Sequence, residues 1–338
     1  MWREVKEKRY EVNPHVCTNL QHFSRFREKS LLDNTTGIRY LNPSCRLPQY
    51  GCCLISNHTR EEWGTIRSIM SSKELKKATR NYALKQGVDL IGFVSTSHLN
   101  EVIPTRYKPS RLWPEAKTAI SVGKSILLGA IAVGTGKMVQ NARWVAWRTN
   151  EYLNRRALEI GHFLEQQGFK ALPLSNGTMV DPDWNNLGIF GELSHRHVAA
   201  EAGLGTIGVP TFIVTPQFGP RIYFNTILTD AELEPDPRLD FDPCGDECDE
   251  CIRACPNGAI ARGRRTIKKV KCIPLAMPHG VRVLQKYVQD VLNIHDPKER
   301  KERIEDFDFA RLHRALVQGV GTIAGCFHCL AACPVGRR

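Results

Sequence analysis

The sequence predicts an α+β fold in two parts, an α+β domain over 70–235 and a cysteine-rich domain over 236–338. Three observations predict it. Apolar periodicity switches repeatedly between the helical and the strand repeat from residue 70 to about 230. No cysteine falls between Cys53 and Cys244, and eight then crowd into the rest of the chain. Two of the cysteine blocks, one from Cys244 and one from Cys326, close on Cys-Pro. At 338 residues there is room for both domains.

Residues 1–69 carry neither period and many turn formers, so they are read as a poorly ordered extension or a mis-assigned start. Cys17, Cys45, Cys52 and Cys53 lie there without metal-ligand spacing. Ser71-Ser-Lys-Glu74 is a capping-box pattern that opens a helix, with Leu75, Ala78 and Tyr82 on one face and Gly87 as its stop. Residues 88–94 and 119–122 read as buried strands, with a turn-rich connection over 104–114. A long helix is expected from about 142 to 167, with Leu153, Ala157, Ile160 and Leu164 as its stripe. Residues 169–174 form a strand, and 175–191 a polar loop of a length that usually carries function. Ser194 caps a helix over 195–202. A tight glycine turn follows at 203–208, then strands at 211–215 and 222–228. Two helices near 280–293 and 309–318 interrupt the second domain.

Composition sets limits on partners and compartment. The net charge of +12 is concentrated in runs such as 261–271 and 298–303, which read first as a solvated basic face. No run of about 18 apolar residues is present, so no membrane partner is expected, and the first residues carry no apolar signal core. Cysteines at metal-ligand rather than disulfide spacing place the chain in a reducing, cytoplasmic compartment.

The cysteines carry the strongest chemical signal. Cys244-Gly-Asp-Glu-Cys-Asp-Glu-Cys-Ile-Arg-Ala-Cys-Pro256 and Cys326-Phe-His-Cys-Leu-Ala-Ala-Cys-Pro334 resemble the blocks with which bacterial two-cluster ferredoxins hold [4Fe–4S] clusters. In that arrangement the last cysteine of each block serves the other cluster. The rule assigns Cys244, Cys248, Cys251 and Cys333 to cluster 1, and Cys255, Cys272, Cys326 and Cys329 to cluster 2. Zinc would need paired Cys-x-x-Cys ligands and has no use for a Cys-Pro exchange between sites.

From Glu192 onward the residues resemble the corrinoid iron–sulfur reductase superfamily, which comprises reductive dehalogenases and epoxyqueuosine reductases. The resemblance rests on His197-Val-Ala-Ala-Glu-Ala-Gly-Leu-Gly-Thr-Ile-Gly208, on Thr215-Pro-Gln-Phe-Gly-Pro-Arg221 and on Ile227-Leu-Thr-Asp230. It continues through the first cysteine block to Pro256-Asn-Gly-Ala-Ile260. The Phe-Gly-Pro-Arg element looks more like the reductive dehalogenase branch. The resemblance implies a nitroreductase-like domain binding a base-off cobalamin, followed by the two-cluster ferredoxin-like domain. Low-potential electrons would pass through both clusters to cobalt.

What the resemblance implies for residues is uneven. Gly203, Gly205 and Gly208 would let backbone approach a flat macrocycle, and Arg196 and Arg221 would hold a corrin side chain or an anionic substrate. Epoxyqueuosine reductases place an aspartate-led segment ahead of the glycine turn, but residues 189–197 contain no aspartate. Reductive dehalogenases use a tyrosine with a basic neighbour, for which this sequence offers no assignable position. Glu192, His195 and His197 are therefore the candidate proton donors. The expected activity is a cobalamin-dependent, reductive dehalogenase-like oxidoreductase acting on a small organic substrate, with ferredoxin or flavodoxin as electron donor. The alternatives are an epoxyqueuosine reductase-like enzyme acting on tRNA, and a non-catalytic electron-transfer or corrinoid-handling protein.

Overall fold

The computed structural model describes residues 70–136, 139–177, 181–183, 188–263, 266–319, 321 and 325–337. Of 181–183 and 188–190 it describes the backbone alone. The readings made for 1–69 lie outside the described residues.

Helix α1 (Ser72–Lys85) starts as its capping box predicts. The Ser71 side chain accepts from Glu74 N, and the Glu74 carboxylate accepts from Ser71 N at 2.9 Å. Gly87, at φ +85°, turns the chain out of the helix into strand β1 (Leu90–Ser95). Helix α2 (Thr96–Val102) and two short 3₁₀ turns, Thr105–Tyr107 and Pro109–Arg111, lead to β2 (Thr118–Ser125). Helix α3 (Leu128–Val133) precedes the long α4 (Val139–Gln166). Then come β3 (Ala171–Leu174), the small hairpin of β4 (Asp181–Asp183) and β5 (Gly188–Phe190), and α5 (His195–Glu201). A two-residue ladder joins β6 (Thr206–Ile207) to β7 (Ile213–Val214), and β8 (Ile222–Thr229) closes the first part.

The main sheet is antiparallel throughout, in the order β1-β2-β8-β3. Its pleat divides each strand between two apolar layers. Phe93, Ile120 and Ile227 face α1 and α4, where Leu75, Leu153, Ala157, Ile160 and Leu164 fill one core. Val94, Ala119 and Leu228, one residue along each strand, face Leu99 of α2 and Val198 of α5. The α4 stripe expected from sequence is thus wholly buried. Leu153, Ile160 and Leu164 each contribute roughly 1.5–3 kcal/mol through burial. A one-residue slip of any strand would turn its apolar set to the wrong layer.

Beyond β8 the chain returns across the edge of β1. The Asp236 carboxylate accepts from Phe93 N at 3.0 Å and pairs with Lys76 and Arg80, while Asp236 N donates to Phe93 O. The cysteine-rich part follows with α6 (Glu250–Arg253), α7 (Lys269–Ala276), α8 (Val281–Asn293), α9 (Pro297–Glu305), α10 (Phe307–Gln318) and α11 (His328–Ala332). Helices α8 to α10 separate Cys272 from Cys326. Among the residues of these three helices only Tyr287, Leu312 and Ala315 are buried. Helix α9, capped by the Asp296 side chain and opened by Pro297, occupies the stretch read from sequence as a basic run. Among the described residues no helix is long and apolar enough to cross a membrane.

Candidate functional site

All eight clustered cysteines are free thiols. Their neighbours divide them into two groups. The Cys251 thiol, on α6, is pushed up to about 11 by burial and then by Cys244, Cys248 and Cys333. Burial raises Cys333 too, with Cys244 and Cys248 adding to it and Arg221 opposing. Cys272 is raised by burial, then by Cys326 and Cys255. Cys329, on α11, is raised by burial and then by Cys326, Cys272, Cys251 and Cys255, so the two groups adjoin there. Judged by which thiols act on which, Cys244, Cys248, Cys251 and Cys333 neighbour one another, as do Cys255, Cys272, Cys326 and Cys329. Cys244, Cys255 and Cys329 all pack against one shared apolar cluster that contains Cys251.

Thiols that mutually oppose ionisation form a donor set suited to cationic metal, whose charge reverses that penalty. Among the described residues no three His, Cys, Asp or Glu side chains converge closely enough for a single metal ion. A cubane takes its thiolates at separate iron atoms, so a [4Fe–4S] cluster asks for four thiols in a looser arrangement than a single zinc ion does. Main-chain N–H groups already point at the sulfurs. Ala259 N donates to Cys255 Sγ at 3.2 Å, and Val209 N to Cys244 Sγ at 3.5 Å.

Two arginines of the first part grip these groups. Arg221, at the entrance to β8 and only 2% exposed, donates from Nη1 to Leu330 O at 2.8 Å and to Cys333 O at 3.1 Å, and from Nη2 to Val335 O. Arg143, on α4, donates from Nε to Gly325 O at 3.0 Å and from Nη2 to Leu275 O at 3.1 Å. Each therefore fixes the backbone beside one group. The Phe-Gly-Pro-Arg element that carries Arg221 is interlocked with the chain after Cys333. A Cβ on Gly219 would lie 2.2 Å from Val335 O, and one on Gly336 2.4 Å from Gly219 N.

A cavity of about 1320 Å³ opens beside the second group, whose Cys326 lines it. Its apolar wall includes Ile126, Phe212, Ile222, Phe224 and Phe327. Helix α8 adds Arg282, Gln285, Lys286, Gln289, Asp290 and Asn293 to the lining, along with the apolar Val281, Val283 and Leu284. The volume exceeds the roughly 300–1,000 Å³ of ordinary small-molecule pockets and suits a large ligand with an apolar body and a polar rim.

The predicted site residues are distributed unevenly around this cavity. Glu192, His195 and Arg196 line it. His195 is held on both nitrogens. Ser175 O, 3.4 Å from Nε2, can only accept, so Nε2 carries the hydrogen and Nδ1 accepts from the Thr226 hydroxyl at 2.9 Å. The ring borders the cavity yet lies deep in the fold, and desolvation pushes its pKa down to about 4, the bond to Ser175 O opposing. His195 is thus a neutral, engaged imidazole. His197 is absent from the lining. It bonds to Ser194 Oγ at 2.7 Å and stacks on Tyr107 with ring centroids 6.3 Å apart. That contact occupies the hydroxyl of Ser194, which makes no side-chain cap on α5.

Gly203, Gly205, Gly208 and Arg221 are likewise absent from the lining. A Cβ at Gly203 would lie 2.2 Å from Pro237 O, and one at Gly205 2.6 Å from Val214 O. At Gly208 it would meet Val214 at 2.8 Å and Cys244 Sγ at 3.3 Å. The glycine turn therefore backs onto the segment around Pro237, the β6–β7 ladder and the first cysteine group.

Tyr107 lines the cavity and was not singled out in the sequence. Burial raises its phenol, while Arg106 and Arg196 pull the other way, so it stays protonated at neutral pH with cationic neighbours. Arg196 donates to Thr211 O at 2.8 Å, the carbonyl of a residue held at φ +64°. Tyr107 lies in a turn-rich connection without period or motif, and only the resemblance's demand for a tyrosine beside a base pointed to such a residue.

No protein-family model matches the chain. The chain is 30% identical over 228 residues to an epoxyqueuosine reductase of Bacillus cereus, a match covering 60% of this chain and 57% of that protein. It is 26% identical over 152 residues to a tetrachloroethene reductive dehalogenase of Sulfurospirillum multivorans, covering 43% of this chain and 27% of that protein. Among solved structures, a selenomethionine-labelled epoxyqueuosine reductase has a TM-score of 0.48 at 21% identity, covering 79% of this chain and 67% of that one. The chain thus spans little more than half the length of the reductase it matches at 30%. The epoxyqueuosine reductase match is both longer and more similar, so the leaning towards dehalogenases read from Phe-Gly-Pro-Arg is not favoured. The homologues of this chain are epoxyqueuosine reductases and reductive dehalogenases, and together they support its place in the corrinoid iron–sulfur reductase superfamily without separating the two branches.

Proposed function

We propose that the chain is an iron–sulfur and corrinoid oxidoreductase in which two [4Fe–4S] clusters feed electrons to the cavity beside Cys326. One observation carries the reading: eight thiols fall into two fours, and one member of the second four lines the large cavity. On this reading Cys244, Cys248, Cys251 and Cys333 hold cluster 1, and Cys255, Cys272, Cys326 and Cys329 hold cluster 2. The nitroreductase-like and ferredoxin-like division at about residue 235 belongs to the same proposal.

When bound, the clusters supply low-potential electrons and cobalamin supplies the reducing centre. The chain's own residues do the remaining work. The apolar wall of Phe212, Ile222, Phe224 and Phe327 excludes water, while Arg282, Gln285, Gln289 and Asn293 of α8 would meet the amide-bearing rim of a corrinoid. Tyr107 holds the proton that the reduction consumes, and Arg196 stabilises the phenolate left behind. His195, bonded on both nitrogens, is a lining side chain anchored to Ser175 O and to the buried Thr226 hydroxyl.

Of the two branches, the epoxyqueuosine type leads, acting on a modified nucleoside in tRNA. The more similar homologue and the net charge of +12 both favour it. Reductive dehalogenation of a small organic substrate is the second reading, supported by the dehalogenase homologue and by a tyrosine beside a base. Ferredoxin or flavodoxin is the proposed electron donor.

The test is anaerobic purification and reconstitution with iron, sulfide and cobalamin, followed by metal analysis and corrin absorption. About eight iron atoms per chain with stoichiometric corrinoid is expected. Zinc in place of iron overturns the reading, and iron without corrinoid reduces it to an electron carrier. Turnover of epoxyqueuosine-containing tRNA against a halogenated aromatic then separates the branches.

A further inference from the structure

The Thr215–Arg221 segment was singled out by resemblance, yet its arginine takes no part in the cavity. Arg221 is 2% exposed, and a guanidinium remains charged in proteins, so a full positive charge is held inside the fold. Burying such a charge is costly unless something compensates it. The compensation present is three main-chain carbonyls, all from the C-terminal turn around Cys333. Among the described residues no carboxylate forms an ion pair with it. One N–H is left over: Arg221 Nε is buried with no hydrogen-bond partner.

This is more cation than a structural clamp requires. Neutral donors could hold three carbonyls, whereas a permanent charge with a spare N–H suits an anionic sulfur neighbour. Resting on the two-cluster reading, we propose that Arg221 is a positioning residue that raises the reduction potential of cluster 1. It would do so through its charge beside Cys333 and through the spare Nε–H, donated to a sulfur of the cluster. A nearby cation and hydrogen bonds to sulfur both favour the more negative, reduced state. Arg143 is the internal comparison. It grips the backbone flanking the second group from a half-buried position, so its influence falls on cluster 2. Cluster 1, the group away from the cavity lining, is then easier to reduce than it would be without that charge.

The experiment is a redox titration of the full chain, reconstituted with iron and sulfide and followed by electron paramagnetic resonance. Reduction is by a titanium(III) reductant with mediators. A Cys272→Ala/Cys326→Ala background leaves cluster 1 to be read alone. Arg221→Gln keeps a donor for the carbonyls and removes the charge, so the midpoint of cluster 1 shifts to more negative potential. Arg221→Lys, which keeps the charge, shifts it less. In the background with all eight cysteines, Arg143→Gln moves the cluster 2 signal and leaves cluster 1 in place. An unchanged or more positive midpoint in Arg221→Gln overturns the proposal. So does loss of iron in both Arg221→Gln and Arg221→Met, which would make the residue a structural clamp alone. Failure of the wild-type chain to bind iron would instead refute the two-cluster reading on which the proposal stands.

Discussion

His195 and Thr226 meet across the edge of the cavity, with Nδ1 of the imidazole accepting the threonine hydroxyl at 2.9 Å. Burial pushes the pKa of the ring down from 6.5 to about 4, so it is neutral in the folded chain, with Nε2 donating to Ser175 O. Protonation would remove the acceptor and place a charge in a desolvated site.

A pH dependence of stability follows. Between about pH 6.5 and 4 the unfolded chain binds a proton at this position that the folded chain does not. The contribution of His195 is therefore fully present above pH 6.5 and is lost as pH falls towards 4. The loss is on the order of 1–3 kcal/mol, the cavity's solvent access reducing it. Denaturant midpoints across this range should fall more steeply for wild type than for His195→Gln. Parallel profiles would remove the histidine from the account.

Tyr107→Phe removes a single hydroxyl from the cavity wall. If Tyr107 is the proton donor, turnover falls about 10²- to 10⁴-fold while cofactor and substrate binding change little. The ratio of kcat to KM effects is the readout. A variant with wild-type kcat would return the role to Glu192.

Cys255→Ser tests the crossed assignment. Cys255 stands in the first block but has Cys272 and Cys329 as neighbours. Reconstituted protein should lose the cluster made mainly by the C-terminal block and retain about four of eight irons. Loss of the other cluster would restore a simple block-by-block pairing.

Gly203→Ala distinguishes a packing turn from a cofactor contact. The added methyl would overlap Pro237 O at 2.2 Å, in a backbone at φ +72° that alanine disfavours. Destabilisation of the cofactor-free chain by at least about 1–2 kcal/mol is expected, measured by urea unfolding. Unchanged stability with weakened cobalamin binding would favour a contact to the macrocycle.

Much of the sheet was legible because its signal is local. Phe93 and Val94, or Ile227 and Leu228, sit side by side in sequence and face opposite cores. The α4 stripe follows the helical repeat over its whole length. The cysteine blocks were legible for the same reason, since ligand spacing is written within a few residues. The cavity was not. Its wall draws on Tyr107, on residues 174–176 and 192–196, on the start of β8, on α8 and on Cys326, and no short stretch holds enough of it to form a motif. Arg221 falls between the two cases. Its motif marked it, but its partner Leu330 lies 109 residues further on, and sequence carries no trace of that pairing.

The seating of Arg221 also bears on the order of events during maturation. The guanidinium sits one residue before β8, the strand that pairs with both β2 and β3, so its final position depends on non-local ladders. Until then the carbonyls of Leu330, Cys333 and Val335 have no guanidinium to hold them, and the interlock of Gly219 with Gly336 is not formed. On the two-cluster reading, iron offered to a chain whose sheet had not yet closed would meet Cys244, Cys248 and Cys251 before Cys333 was clamped beside them.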